Sequence, residues 1–118
     1  MSIISDLVYD TVRKIFPGLR ITKEYYIRYK NKKLFFDFYI TDLGIFIEVQ
    51  GRQHVKFIKH FHGNKEKFLE QKYRDNLKIE YIENINKVLV RFYYNEKITE
   101  ELVMEKFNKA FDKGGFYE

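Results

Sequence analysis

Leu34-Phe35-Phe36-Asp37-Phe38-Tyr39-Ile40, Thr41-Asp42-Leu43-Gly44 and Ile45-Phe46-Ile47-Glu48-Val49-Gln50-Gly51 follow one another without a break. Aromatic and β-branched residues on either side favour extended strands, and the glycine-closed quartet between them reads as a tight turn. A turn that sets Ile40 against Ile45 carries Phe38 to Ile47 and Phe36 to Val49, so that one face of the hairpin is wholly apolar. The other face then holds Tyr39 opposite Phe46, Asp37 opposite Glu48 and Phe35 opposite Gln50. A slip of one residue would mix the two sets and bury a carboxylate in the core. The apolar pattern therefore specifies the register, and the register sets two acids side by side.

Directly opposed residues have Cβ atoms about 4.5–5.5 Å apart, where like charges repel. A shared proton, a neighbouring lysine or a divalent cation can offset that repulsion; alternatively the face is exposed and both acids diverge into solvent. Two carboxylates at the edge of a sheet in a basic protein suit Mg²⁺, which keeps several waters and also accepts phosphate oxygens as ligands.

Outward from the hairpin, the chain alternates between two periods. Ile4, Leu7, Val8, Thr11, Val12 and Ile15 recur every three or four residues and predict a helix that Pro17-Gly18 stops. Residues 20–29 favour a strand through Ile21, Tyr25, Tyr26, Ile27 and Tyr29, and residues 30–33 form a polar turn. Residues 52–63 hold His54, His60 and His62 among aromatic and basic neighbours and show no clear period. Asn64 is placed to cap a helix reaching to about residue 83, with Leu69, Tyr73, Leu77 and Tyr81 four apart and Phe68, Ile79 and Ile82 on an adjoining stripe. Asp75 falls on that stripe, so burial would demand a partner such as Arg74 or Arg91. Residues 88–93 are nearly all apolar and read as a central strand. Thr99 before Glu100 and Glu101 opens a last helix carrying Leu102, Val103, Met104, Phe107 and Phe111, which Gly114-Gly115 ends.

The 118 residues suit one domain, 1–118, and 45% hydrophobic content allows a real core. With no cysteine there is neither a disulfide scaffold nor a thiolate zinc site. No apolar run approaches the length of a bilayer, and acids within the first ten residues do not read as a signal peptide. A net charge of +5 tilts toward a polyanionic partner. Lys23, Arg28, Lys30, Lys32, Lys33, Arg52, Lys56 and Lys59, interleaved with Tyr25, Tyr26, Tyr29 and Phe57, either track a phosphate backbone or form a solvated surface. No helix-turn-helix or zinc finger is evident.

Phe36-Asp37-Phe38, Ile47-Glu48-Val49-Gln50-Gly51 and Gln53-His54 together resemble the PD-(D/E)XK nuclease superfamily, most closely the phage and homing endonuclease domains similar to very-short-patch repair endonucleases. Phe61-His62-Gly63, the run from Gln71 through Asp75 to Lys78, and Val88-Leu89-Val90-Arg91-Phe92 extend the likeness. The resemblance implies an α/β, restriction-endonuclease-like core: helix, three-strand meander, helix, strand and helix around a four-stranded mixed sheet. It implies a Mg²⁺- or Mn²⁺-dependent deoxyribonuclease acting on DNA and leaving a 5′-phosphate. Asp37 would be the central metal ligand, Glu48 the second and the Val49 carbonyl the third.

Gln50 stands where the superfamily usually has lysine, and can donate and accept hydrogen bonds but carries no charge. His54 would act as general base or phosphate donor, with Asp75 orienting it as an alternative to pairing with arginine. An acid on the first helix, Asp6 or Asp10, would join the site. His60 and His62 read as packing or DNA-backbone contacts. A monomer with one such site nicks one strand; specificity would come from substrate shape, a homodimer, a partner protein or a fused domain. The implied setting is the cytoplasm of a bacterial cell, with the gene phage-encoded or not. The rival readings are a dimeric junction resolvase on the same fold, and a catalytically inactive nucleic-acid-binding or interaction domain, which the loss of the lysine keeps open.

Overall fold

The computed structural model describes residues 2–51 and 65–117. The order is α1 (Ile3–Ile15), β1 (Ile21–Tyr29), β2 (Lys32–Ile40), β3 (Ile45–Gln50), α2 (Lys65–Asn84), β4 (Val88–Tyr93), α3 (Glu100–Lys113) and β5 (Gly115–Tyr117). The sheet runs β1-β2-β3-β4-β5, antiparallel as far as β3 and parallel from there on, so it is mixed. The expected four strands are all in it. The three-residue β5 corrects the expected strand count: Gly114 and Gly115, read as a helix stop, both have positive φ (73° and 64°) and turn the chain back beside β4. Left-handed backbone of this kind is nearly free only for glycine.

Local chemistry sets the helix ends. The Ser2 hydroxyl accepts from the Ser5 amide at the start of α1, and Thr99 does the same for Leu102 at the start of α3. α1 and α3 share one face of the sheet, where Val8, Val12, Phe38, Ile47, Val90 and Phe107 pack together. α2 covers the other face, where its Ile82 packs with Phe36, Phe46 and Leu89 of the sheet. Asn64, expected as the α2 cap, lies outside the described residues. The expected apolar stripe of α2 holds only in its second half. Leu77 and Ile82 are buried, but Leu69 and Tyr73 are exposed.

The hairpin departs from regularity at one level. β1 and β2 keep a single register from Ile21↔Ile40 to Tyr29↔Lys32, yet Glu24 and Asp37 make no ladder pair, and Glu24 has φ +53°. Across that level both strands exchange faces. Ile21, Phe38 and Ile40 join the α1–α3 cluster, whereas Tyr25, Ile27 and Phe36 join the α2 cluster. In an uninterrupted strand Phe36 and Phe38 would share a face. The register Ile40↔Ile45, Tyr39↔Phe46 and Phe38↔Ile47 is as expected, but pairing of β2 with β3 stops there. Phe36 therefore does not extend the apolar face beside Val49; its ring lies 4.8 Å from that of Phe46 instead.

Candidate functional site

Glu48 alternates with Phe46 along β3, so its side chain enters the α2 layer, where it is buried. Its parallel-ladder partner on β4 is Arg91, whose Nε donates to Oε2 at 3.2 Å. From α2, Lys78 Nζ donates to Oε1 at 2.5 Å. The same arginine donates through Nη2 to the Asp75 carbonyl at 3.0 Å, which ties β4 to α2. Glu48, Asp75, Lys78 and Arg91 are all buried, forming a knot between two parallel strands and their crossover helix. Of the ways to offset acid–acid repulsion, the structure supplies a neighbouring lysine and adds an arginine.

Asp37 sits at the break in the hairpin. Its Oδ2 accepts from the Val49 amide at 2.7 Å, at the level where the continued ladder would set Phe36. The side chain thus takes over a ladder hydrogen bond as the strands part. The expected side-by-side pair is altered accordingly: Asp37 lies against the β3 backbone at Val49, while the adjacent Glu48 turns into the α2 layer. Within a strand the N–H and C=O of one residue point to the same edge, so the Val49 carbonyl shares the Asp37 edge.

Gln50 closes β3. It pairs with Tyr93, its backbone carbonyl accepts from Tyr94 at 2.9 Å, and by alternation it shares the Glu48 face. Its side chain is 3% exposed, and Oε1 has no hydrogen-bond partner among the described residues. Asp75 is buried as its stripe position implied, and Arg91 reaches it through its backbone carbonyl; Arg74 pairs instead with Glu70 on the surface. Asp6 and Asp10 are exposed on α1, which packs on the face opposite to Glu48. His54, with His60, His62, Arg52, Lys56, Phe57 and Lys59, lies outside the described residues. Among the described residues no group of three or more His, Asp and Glu side chains comes together.

Lys78 was not singled out in the sequence, although a signal was present. Asp75, Lys78 and Ile82 are spaced three and four apart, the interval that places all three on one buried line. Lys78 also lines a cleft of about 390 Å³ bordered by Lys33, Phe35, Lys67 and Arg74. A hollow of about 700 Å³ at the far end of the sheet, around Gly44, Lys87 and Gly115, holds none of these groups.

No family model matches the chain, and no solved structure matches it. It is similar to the uncharacterized protein 307L of Invertebrate iridescent virus 6, with 43% identity over 67 residues, 57% of this chain and 34% of that protein. It is also similar to the uncharacterized protein 033L of Invertebrate iridescent virus 3, with 34% identity over 64 residues, 54% of this chain and 33% of that protein. The chain thus spans about a third of the length of the curated relatives it matches. Both relatives are viral, which fits the phage side of the expected setting in being viral and gives the bacterial side no support. Among the described residues no helix is long and apolar enough to cross a membrane.

Proposed function

We propose that the chain is a metal-dependent DNA endonuclease domain of the PD-(D/E)XK kind, with Asp37, Glu48, Gln50 and Lys78 at its centre. The observation that carries this reading is the Gln50 carboxamide oxygen, buried and unpartnered among the described residues on the strand face that also carries Glu48. A buried acceptor left unsatisfied costs about 1–3 kcal/mol, and such exceptions in a folded protein ask for an explanation. A bound polar ligand relieves that cost.

The oxygens nearby are hard donors: the Asp37 and Glu48 carboxylates and the Val49 carbonyl. That donor chemistry fits Mg²⁺ or Mn²⁺ better than zinc. A divalent ion held there supplies Lewis-acid polarisation of a phosphate and an acidified water. The chain's own groups do the remainder. Lys78 brings from α2 the positive charge that Gln50 lacks, within reach of a phosphate entering the cleft. Arg91 holds the second Glu48 oxygen and fixes the carboxylate. Gln50 orients a water or phosphate oxygen by hydrogen bonding.

A second reading has an observation of its own. Lys78 and Arg91 already neutralise Glu48, an arrangement that is complete without a metal and suits a nucleic-acid-binding domain that does not cut. Supercoiled plasmid with Mg²⁺ or Mn²⁺ separates the two. The enzyme reading expects metal-dependent nicking that Asp37→Asn and Glu48→Gln each abolish while circular dichroism shows them folded. DNA binding equal in all three proteins, with no nicking by any, would establish the second reading instead.

A further inference from the structure

The outer half of the β1–β2 hairpin carries a surface that this site does not use. Beyond the break at Glu24 and Asp37, Tyr25, Ile27 and Phe36 turn into the α2 cluster. By alternation Tyr26, Arg28, Lys33 and Phe35 face the other way. The α1–α3 cluster reaches the sheet through Ile21, Phe38 and Ile40 and takes in none of these four. Tyr26 and Phe35 are ladder partners with ring centroids 4.6 Å apart, and they are 50% and 49% exposed. One step outward on the same face, Arg28 and Lys33 are ladder partners as well, with Lys33 Nζ 4.4 Å from the Tyr26 ring centroid. Like charges placed opposite each other repel. Among the described residues neither cation has a carboxylate at ion-pair distance.

One exposed face therefore joins a pair of rings to a pair of unneutralised cations about 7 Å along the strands. Rings alone would suit a second copy of this chain; the cations beside them select an anionic occupant. Aromatic faces stack on nucleobases of any sequence while basic side chains hold the phosphates. Within a duplex the bases are already stacked on one another, so a free base face belongs to an unpaired nucleotide.

We propose that this face binds an unpaired nucleotide of a nucleic-acid strand, with its base stacked on Phe35 and Tyr26 and its phosphate between Arg28 and Lys33. The assignment rests on the nucleic-acid reading above and narrows it to single-stranded or locally unpaired substrates.

The chain has no tryptophan, so Phe35→Trp places one fluorophore on the platform. The whole chain is titrated in EDTA with a single-stranded oligonucleotide and with its full duplex. The single strand binds tighter and quenches the Phe35→Trp emission. Phe35→Ala weakens single-strand binding by about tenfold, and the tryptophan variant retains it. Arg28→Ala and Lys33→Ala each flatten the salt dependence of log K by about 0.7. Equal affinity for paired and unpaired DNA, undiminished binding by Phe35→Ala, or Phe35-dependent self-association in place of binding overturns the platform. Phe35-dependent single-strand binding without plasmid nicking keeps the platform and removes the nuclease reading. Nicking with no loss of strand binding in Phe35→Ala removes the platform alone.

Discussion

Among the described residues two lysines are buried, and their surroundings differ. Lys106 of α3 donates to the Arg91 carbonyl at 2.7 Å and to Glu96 at 2.9 Å, with the Phe92 ring centroid 5.0 Å away. Glu96 in turn accepts from the Tyr93 amide at 2.6 Å. Every partner of this ammonium belongs to β4 or to the turn after it. Lys78 of α2 is bound to Glu48, a carboxylate it shares with Arg91, and it also borders the open cleft. Burial of a charge therefore does not mark function by itself, since structural ion pairs do the same. The distinguishing features are the opening beside Lys78 and the unpartnered Gln50 oxygen on the Glu48 face.

The largest expected effect tests the shared carboxylate. Glu48→Ala leaves Lys78 and Arg91 buried with no anion between them, and breaking a buried pair from one side costs about 3–5 kcal/mol. Glu96 is partly exposed, so in Glu96→Ala water can reach part of what is lost, and the cost is about 1 kcal/mol. Urea unfolding of the two variants checks the contrast. Equal losses would show that both clusters are structural in the same sense.

The next effect is on rate. Under the nuclease reading, Lys78→Met lowers plasmid nicking by about 10²–10³, the usual cost of removing one group that stabilises transition-state charge. Lys106→Met costs about 1–3 kcal/mol of stability, because the Arg91 carbonyl loses its donor. It leaves the nicking rate per folded molecule near that of the parent. A rate loss that follows stability in both variants would remove Lys78 from the chemistry.

The order of elements was legible in the sequence because period and punctuation agreed. Residues 45–50 and 88–93 begin and end as read, and Thr99 caps the last helix. The register near the turn was legible for the same reason, since a slip would have buried an acid. Its interruption at Asp37 was not, because nothing in Phe36-Asp37-Phe38 shows that Glu24 on the neighbouring strand adopts positive φ and turns both strands over. A two-residue period assumes continuity and cannot register a break that leaves the residue count unchanged. Among the expected site residues, Glu48 and Gln50 lie on β3 and Asp37 of β2 accepts from the Val49 amide between them, but the expected ladder pairing of Asp37 with Glu48 is absent. Lys78 escaped notice because a lysine on a helix is usually read as solvated, although its spacing from Asp75 and Ile82 pointed inward. β5 escaped because three residues after two glycines give no periodic signal.

The smallest effect lies on the surface and sharpens the contrast from outside. Glu80 of α2 accepts from Lys30 at 2.5 Å and from the Tyr29 hydroxyl at 3.1 Å, and Asn84 donates to that hydroxyl at 2.7 Å, tying the hairpin to α2. The hydrogen bond from Lys30, and next the one from Tyr29, hold the Glu80 carboxyl below its ordinary value of 4.5. A carboxyl lowered in the folded state stabilises the fold above its unfolded pKa and ceases to do so as pH falls through the folded one. The contribution is therefore present at neutral pH and fades below about pH 4.5. Lys30 is raised from 10.5 by the same bond, so its share persists through neutral pH and fades only in strong alkali. Glu80→Gln should flatten the acid limb of the urea midpoint against pH, and added salt should shrink the difference, because both side chains are open to solvent, 42% and 54% exposed for Glu80 and Lys30. The loss of urea midpoint in Glu48→Gln at neutral pH should resist salt, since Glu48, Lys78 and Arg91 are all buried. An equal salt response in the two variants would mean that solvent reaches Glu48 as freely as it reaches Glu80, and the burial of the Glu48 carboxylate between Lys78 and Arg91 would be wrong.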